Sequence, residues 1–514
     1  MGPPPFHQLV AAALLLGTIG AEAAAQNATY RERYRPQVHF TPPVNWMNDP
    51  NGLVHYDGEY HLFYQYNPFG DRWGHMSWGH AVSPDLVHWE HLPVALTEED
   101  GVMIFSGSAV VDWTNTSGFG DDEQAPLVAI YTGHRPADHN QSQHIAYSTD
   151  RGRTWTKYAG NPVIDIGARH FRDPKVFWHA PARRWIMVLA LAEDRKVRIY
   201  GSPDLKEWTH LSDFGPAGAT SGQWECPDLF ELPVEGEPGE TRWVLQVDLN
   251  PGGRVGGSGG QYFIGWFDGT RFTAETTETR WLDWGADFYA TMSWSDIPPQ
   301  DGRRIWLAWM NNWQYAQEIP TSPWRSAQSL PRTVTLRRFD DGIRLVQRPV
   351  RELERLRGGR RALGPRPIPD GTTPLDGEGI AGATLEILAE LDTGTAAEVG
   401  LKVRTGDGEE TTVGVDARAG RVFIDRTRSG VVEFHDAFAA RHGGPLDVEG
   451  GRVRLHVFVD ASSVEVFAGS GETVLTARIF PAPESDGVAL YAEGGTARLV
   501  SLEAWPLRSI WDRP

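Results

Sequence analysis

The chain has 514 residues, 40% of them hydrophobic and 22% charged, which is enough apolar material to offset the chain entropy of folding and enough length for more than one domain. Its 48 Lys and Arg against 67 Asp and Glu leave a net charge of −19, which repels phosphate backbones and anionic lipid. Nucleic acid and membrane are therefore poor partners, and a neutral substrate is expected.

The first segment reads as a signal peptide over residues 1–25. An apolar run from Leu9 to Ile19 is followed by small residues from Ala21 to Ala25. The run is too short to span a bilayer, and no later segment approaches 18 consecutive apolar residues. It departs from pattern in one respect: His7 but no Lys or Arg precedes the apolar run. Export is expected, to the medium or the periplasm. Asn27, Asn115 and Asn140 open glycosylation sequons, which matter only in a eukaryotic route. The one cysteine, Cys226, allows no intrachain disulfide and reads as a small buried hydrophobe.

From about residue 38 to 345 the chain alternates short apolar runs with Gly, Pro, Asn and Asp, and no amphipathic helix stands out. Val54 to Tyr64 reads as strand, turn, strand; so does Val176 to Val188. An all-β sandwich, barrel or propeller follows. Internal similarity selects a propeller. Ser83-Pro-Asp-Leu-Val-His-Trp89 recurs as Ser202-Pro-Asp-Leu-Lys-Glu-Trp208, and again with one extra residue from Ser148 to Trp155. Phe267 to Phe272 is a degenerate fourth copy. In each, the Asp can accept backbone N–H groups of a turn and the Trp can pack between sheets. Most of the 21 Trp are expected in the core, the remainder being suited to the C–H faces of sugars.

A second repeat carries chemistry. Asn48-Asp49-Pro50, Arg172-Asp173-Pro174 and Glu225-Cys226-Pro227 each open a strand, where the missing proline N–H is tolerated. Equivalent positions on different blades converge at a propeller's axis. Three carboxylates would meet there, although 124 and 52 residues separate them in sequence.

Residues 346–365 read as a linking helix, with Val350, Leu353 and Leu356 at helical spacing. From 366 to 510 strand alternation returns while Trp becomes scarce, which reads as a separate β-sandwich.

Single Asp-Pro pairs are usually turn caps; three equivalent ones amid aromatics point to catalysis. Glycoside hydrolysis needs one ionised and one protonated carboxyl across the scissile bond. Glu225, between Trp224 and Cys226, is the candidate acid, because apolar surroundings disfavour its charge. Asp49, among Asn45, Asn48 and Asn51, is the candidate nucleophile. Asp173, beside Arg172, is expected to stay ionised and to balance positive charge in the transition state. Hard cations also take carboxylates, but no His-x-x-x-His pair or Asp-rich calcium loop supports a metal site, and no cofactor is called for. His75 and His80 read as turn residues.

These residues resemble glycoside hydrolase family 32, the invertases, levanases and inulinases, over about residues 38 to 510. Asn45-Trp46-Met47-Asn48-Asp49-Pro50-Asn51-Gly52 is similar to its nucleophile motif, Arg172-Asp173-Pro174 to its transition-state-stabiliser motif and Glu225-Cys226-Pro227 to its acid/base motif. The resemblance implies a five-bladed β-propeller followed by a C-terminal β-sandwich, retention of configuration and no obligatory metal. It also implies a sugar pocket formed by Trp46, Met47, Asn48, Gln65, Trp73, Phe105, Ser106, Arg172 and Trp313, with Asp287 a weaker candidate. The runs from Trp73 to Ala81 and from Pro320 to Ser326 resemble those of exo-acting levanases and exo-inulinases, as does Asp rather than Glu at position 49.

The resemblance thus implies release of terminal fructosyl units from levan, inulin and sucrose through a covalent fructosyl-enzyme intermediate. Four other readings stay open. An invertase would act mainly on sucrose. A fructosyltransferase would pass the covalently held fructosyl group to an acceptor sugar rather than to water. An inverting arabinan hydrolase also uses three carboxylates, but with a wider gap between them; the long motif around Asp49 and the sandwich argue against it. A non-catalytic sugar-binding propeller would tolerate loss of an acid, and all three acids are present.

Overall fold

A computed structural model describes residues 29–121 and 124–512 of the chain. The expected signal segment and the sequon at Asn27 lie outside them.

Five antiparallel sheets form the blades, in chain order, with inner strands Asn45–Tyr56, Met103–Val111, Phe171–His179, Gln223–Pro233 and Tyr289–Ser293. Each sheet runs outward in sequence order from its inner strand, with one exception between the fifth blade's stretch of chain and the first sheet. The ring closes where the first sheet takes a short strand, Trp324–Arg325, from the last blade's stretch of chain. Asn45 and Trp46 pair in parallel with Trp324 and Arg325, and Val54 bridges to Ser295.

The repeated Ser-x-Asp turns do what their chemistry requires. Asp85 Oδ1 accepts the N–H groups of Val87 and His88, and Asp204 Oδ1 those of Lys206 and Glu207. Asp150 and Asp268 cap their turns in the same way. Trp155 packs edge-on against Phe63 of the preceding blade, so this turn fastens the second blade to the first. His75 does lie in a turn, but His80 is a buried strand residue stacked 4.0 Å from Phe63.

The linker departs from expectation. Residues 346–349 complete the last blade strand, Gly342–Pro349, and only Arg351–Leu356 is helical, as a short 3-10 helix. Val350, Leu353 and Leu356 are all buried, as their spacing suggested. A repeat of three fits the 3-10 period as well as the α period, and six residues are too few for a stable α-helix.

The second domain is a sandwich of a seven-stranded and a six-stranded sheet around a single aliphatic core, including Ile387, Val457 and Leu490. It packs against the propeller through buried ionic groups. His39 lies between Asp460 (2.7 Å) and Glu465 (3.0 Å), and Arg332 binds Glu465 (2.6 Å) and Asp283 (3.1 Å).

Candidate active site

Each blade's inner strand slips register near its start. The slips fall between Met47 and Pro50, Ile104 and Gly107, Arg172 and Lys175, Glu225 and Asp228, and Tyr289 and Met292. A β-bulge re-aims side chains, and here five of them point residues at one axial pocket. Asp173, Cys226 and Ala290 have φ of 66°, 47° and 56° within these bulges, strain of the kind that collects at functional sites. Gly52 (φ 55°) ends the Asn48 to Gly52 run, where a Cβ would come within 2.5 Å of the Phe63 ring.

Asp49, Asp173 and Glu225 meet in this pocket. Ser106 Oγ donates to Asp49 Oδ2 (2.6 Å) and Asn48 Nδ2 to Asp49 Oδ1 (2.9 Å). The Cys226 thiol lies 3.8 Å from Asp49 Oδ2 and 3.6 Å from Asp173 Oδ2, and the Cys226 N–H donates to Asp173 Oδ2 (2.9 Å). Arg172 donates to Glu225 Oε1 through Nη2 (2.7 Å) and Nε (3.1 Å), and to Gln223 Oε1 (2.6 Å). Tyr289 Oη donates to the other oxygen of Glu225.

Aromatic residues form the walls. Trp46 is buried, donates to Asn48 Oδ1 (2.7 Å) and stacks on Trp313 at 5.7 Å. Phe105 stacks on His134 at 4.5 Å and meets the edge of Trp73, which is 40% exposed and so stands at the rim. Gln65 is buried, its amide fixed to Ile104 O (3.0 Å).

The chain resembles known proteins along nearly its whole length. The Glycosyl hydrolases family 32 N-terminal domain matches residues 39–349, and the Glycosyl hydrolases family 32 C terminal matches residues 352–506. The chain belongs to this family. It is 53% identical to a levanase of Bacillus subtilis over 97% of this chain and 74% of that protein. To an extracellular exo-inulinase of Aspergillus awamori it is 43% identical, over 94% of this chain and 96% of the relative. The crystal structure of exo-inulinase from that fungus superposes with a TM-score of 0.89 at 42% identity, covering 94% of this chain and all of that one. A β-fructofuranosidase of Schwanniomyces occidentalis complexed with fructosyl-erythritol gives 0.84 at 33% identity, over 93% and 98%. The family's architecture of a five-bladed propeller and a β-sandwich is the one seen here, and the chain is a glycosidase.

Two expected ligands leave the site. Met47 points into the apolar core with Leu53 and Leu62, because neighbours along a strand face opposite ways and Trp46 and Asn48 take the pocket side. Asp287 is fully buried at the domain interface. It accepts from Arg426 Nη1 (2.6 Å), Tyr315 Oη (2.6 Å) and the Arg478 N–H (2.8 Å), so its carboxylate cannot reach a sugar. The Asp287 to Ala290 run still marks the site, through Tyr289.

The electrostatics also differ in cause from the sequence reading. Trp224 points into the core between blades, so Glu225 is desolvated by the channel itself, not by its chain neighbour. Burial raises the Glu225 carboxyl, Arg172 opposes and the Asp49 charge adds to the rise. Burial likewise raises Asp49 against the hydrogen bonds of Ser106 and Asn48. Of the three asparagines around Asp49, only Asn48 reaches the carboxylate; Asn45 bonds Pro68 O and Asn51 the Asp49 carbonyl. Burial pushes Asp173 up to about 7, although Arg172 lowers it. Arg172 favours the charged form of Asp173 less than expected, because the guanidinium turns to Glu225 and stands 3.9 Å from Asp173. With three carboxylates facing one guanidinium, like-charge repulsion favours keeping a proton among them.

The sequence reading missed Tyr289, the pocket-facing thiol of Cys226, and Asp248, a buried carboxylate held by the Thr291 N–H (2.9 Å). Tyr289 could have been found by aligning the strand starts of all five blades. Asp248 lies on a second strand, with no motif around it.

Proposed function

We propose that the chain is a secreted, exo-acting, retaining β-fructosidase that removes terminal fructosyl units from fructans and sucrose. The observation that carries this is the convergence of Asp49, Asp173 and Glu225 in one aromatic-walled pocket, each with different donors. Relatives named levanase and extracellular exo-inulinase support the substrate class and export.

The roles follow from the donors. Protonated Glu225 gives its proton to the glycosidic oxygen as the bond from that oxygen to the fructosyl anomeric carbon breaks. Asp49, whose ionised form accepts from Ser106 and Asn48, attacks that carbon and forms an ester. Glu225, now ionised, takes a proton from water, whose oxygen displaces Asp49 and leaves fructose with its configuration retained. Asp173 faces the oxocarbenium-like transition state, where its negative charge offsets the developing positive charge. Arg172 orients Glu225 and is placed to bind sugar hydroxyls. Trp46, Trp313, Phe105 and Trp73 supply walls and rim, and Asn48 and Gln65 the polar contacts.

The test is a time course with sucrose, inulin and levan, resolved by product chromatography. Fructose as the only early product from a polymer supports exo-hydrolysis. Early oligosaccharides from a polymer would mean endo cleavage, longer products from sucrose would mean transfer, and no product from any of the three would overturn the reading.

A further inference from the structure

The catalytic groups occupy only one mouth of the propeller's axial channel. At the other mouth, where the inner strands end, lies a cavity of about 580 Å³, within the size range of ligand sites. On blade 3 Asp173 sits near the start of the inner strand and Trp178 near its end. Five strand positions separate them by about 16 Å, so the rear opening is distinct from the catalytic pocket.

The rear cavity combines exposed aromatic faces with buried polar atoms. Trp113 is 61% exposed and Trp178 40%, unusual for so large an apolar side chain. Both are held in place. The Trp113 indole N–H donates to Asp296 Oδ1 (2.9 Å), and Asp296 Oδ2 accepts the Val111 N–H (2.9 Å). Trp178 rests edge-on against Trp185 at 5.2 Å, and Trp185 is itself fixed by a hydrogen bond to Thr116 (2.8 Å). Deeper in, Asp228 Oδ1 and Ser295 Oγ are buried without a protein partner, although the two residues are 1% and 7% exposed. Such atoms call for a polar ligand or water. Lys175 and Arg304 face Asp228 and Asp296, with Glu231 at the rim, so the wall carries no positive excess that would select an anion.

Flat aromatic faces at the rim, hydrogen-bonding groups inside and little net charge suit a neutral polyhydroxylated ligand. We propose that the rear cavity is a second, non-catalytic carbohydrate site that holds sugar units of a polymeric fructan. The ligand class rests on the proposed function above; the site itself rests on the cavity. Holding one chain of a branched or aggregated polymer at the rear raises the effective concentration of other chain ends at the catalytic mouth. The gain applies to polymer and not to sucrose.

The test is affinity electrophoresis through gels containing inulin or levan. The inactive Asp49→Asn protein is compared with the same protein carrying Trp113→Ala and Trp178→Ala. The catalytic pocket contributes equally to both, so the difference reads the rear site. Apparent affinity for at least one polymer should fall threefold or more, and a Trp113→Phe, Trp178→Phe version should recover most of it. With Asp49 restored, the double Ala variant should keep sucrose kcat/KM within twofold, which reports an intact fold, and should lose efficiency on polymer. Equal retardation of the two proteins in both gels would overturn the proposal. Should wild-type enzyme leave sucrose, inulin and levan all uncleaved, the proposed function itself would fall; equal retardation beside normal wild-type hydrolysis sinks the rear site alone.

Discussion

Two buried ionic clusters in this molecule are driven in opposite directions by their surroundings. At the domain interface Asp460 and Glu465 share His39, and Glu465 also takes Arg332. Although burial opposes it, these partners hold both carboxyls below their ordinary values, and His39 is raised to about 9. At the catalytic mouth three carboxylates face one guanidinium, and burial raises all three. At the interface two cations hold Asp460 and Glu465 in their charged forms, while burial raises Asp283 on the far side of Arg332. The pocket is left short of positive charge, and that keeps a proton available for an acid.

The sharpest way to break this contrast is to remove the pocket's working groups. Asp49→Asn and Glu225→Gln should each lower kcat on sucrose by roughly 10³-fold while the protein stays folded. Circular dichroism and turnover on the same preparations check it; normal turnover would refute the roles.

The interface should respond in stability instead. His39→Leu leaves Asp460 and Glu465 buried with less compensation and should cost about 3–5 kcal/mol, read by calorimetry. The sign of its pH dependence is fixed. His39 has a folded-state pKa of about 9 against an ordinary 6.5, so its contribution is complete below pH 6.5 and is lost as pH rises through about 9. The gap between wild type and variant should therefore narrow across that window.

Ser106→Ala sharpens the pocket side. Losing this donor raises Asp49 further, so the acidic limb of the kcat/KM profile should move to higher pH and activity near neutrality should fall about tenfold. An unmoved limb would show that Ser106 does not tune the nucleophile.

The smallest effect has the opposite sign. Asp173 rises from an ordinary 3.8 to about 7 on folding, so between those values the folded state binds more protons and stability falls as pH rises. Asp173→Asn should abolish activity yet stabilise the protein by ~1 kcal/mol at pH 7, with no gain near pH 4. Melting temperatures at the two pH values check it.

Much of this was legible in the sequence because each signal was local. The Ser-x-Asp turns identify themselves by hydrogen-bonding chemistry, and the carboxylate-Pro pairs mark strand starts that a propeller must bring together. What failed depended on side-chain direction or on the other domain. Met47 lies inside the motif yet faces the core, a matter of strand alternation. Asp287 borders the site, but its carboxylate is claimed by Arg426, 139 residues further along the chain. Glu225 is desolvated by Tyr289 and the channel, which its neighbours Trp224 and Cys226 do not reveal. The spacing of Val350, Leu353 and Leu356 fitted two helix types, and the short linker decided for the tighter one.

The central claim is that Asp49 forms a covalent bond to the sugar while Glu225 serves as acid and then base. A fructoside with a good leaving group needs no acid to form the ester, whereas hydrolysis of the ester needs the base. Glu225→Gln should therefore accumulate it. Mass spectrometry of the quenched, digested protein should find one anhydrofructosyl unit on the peptide containing Asp49. An adduct on Asp173, or none while the leaving group is released, would contradict the account.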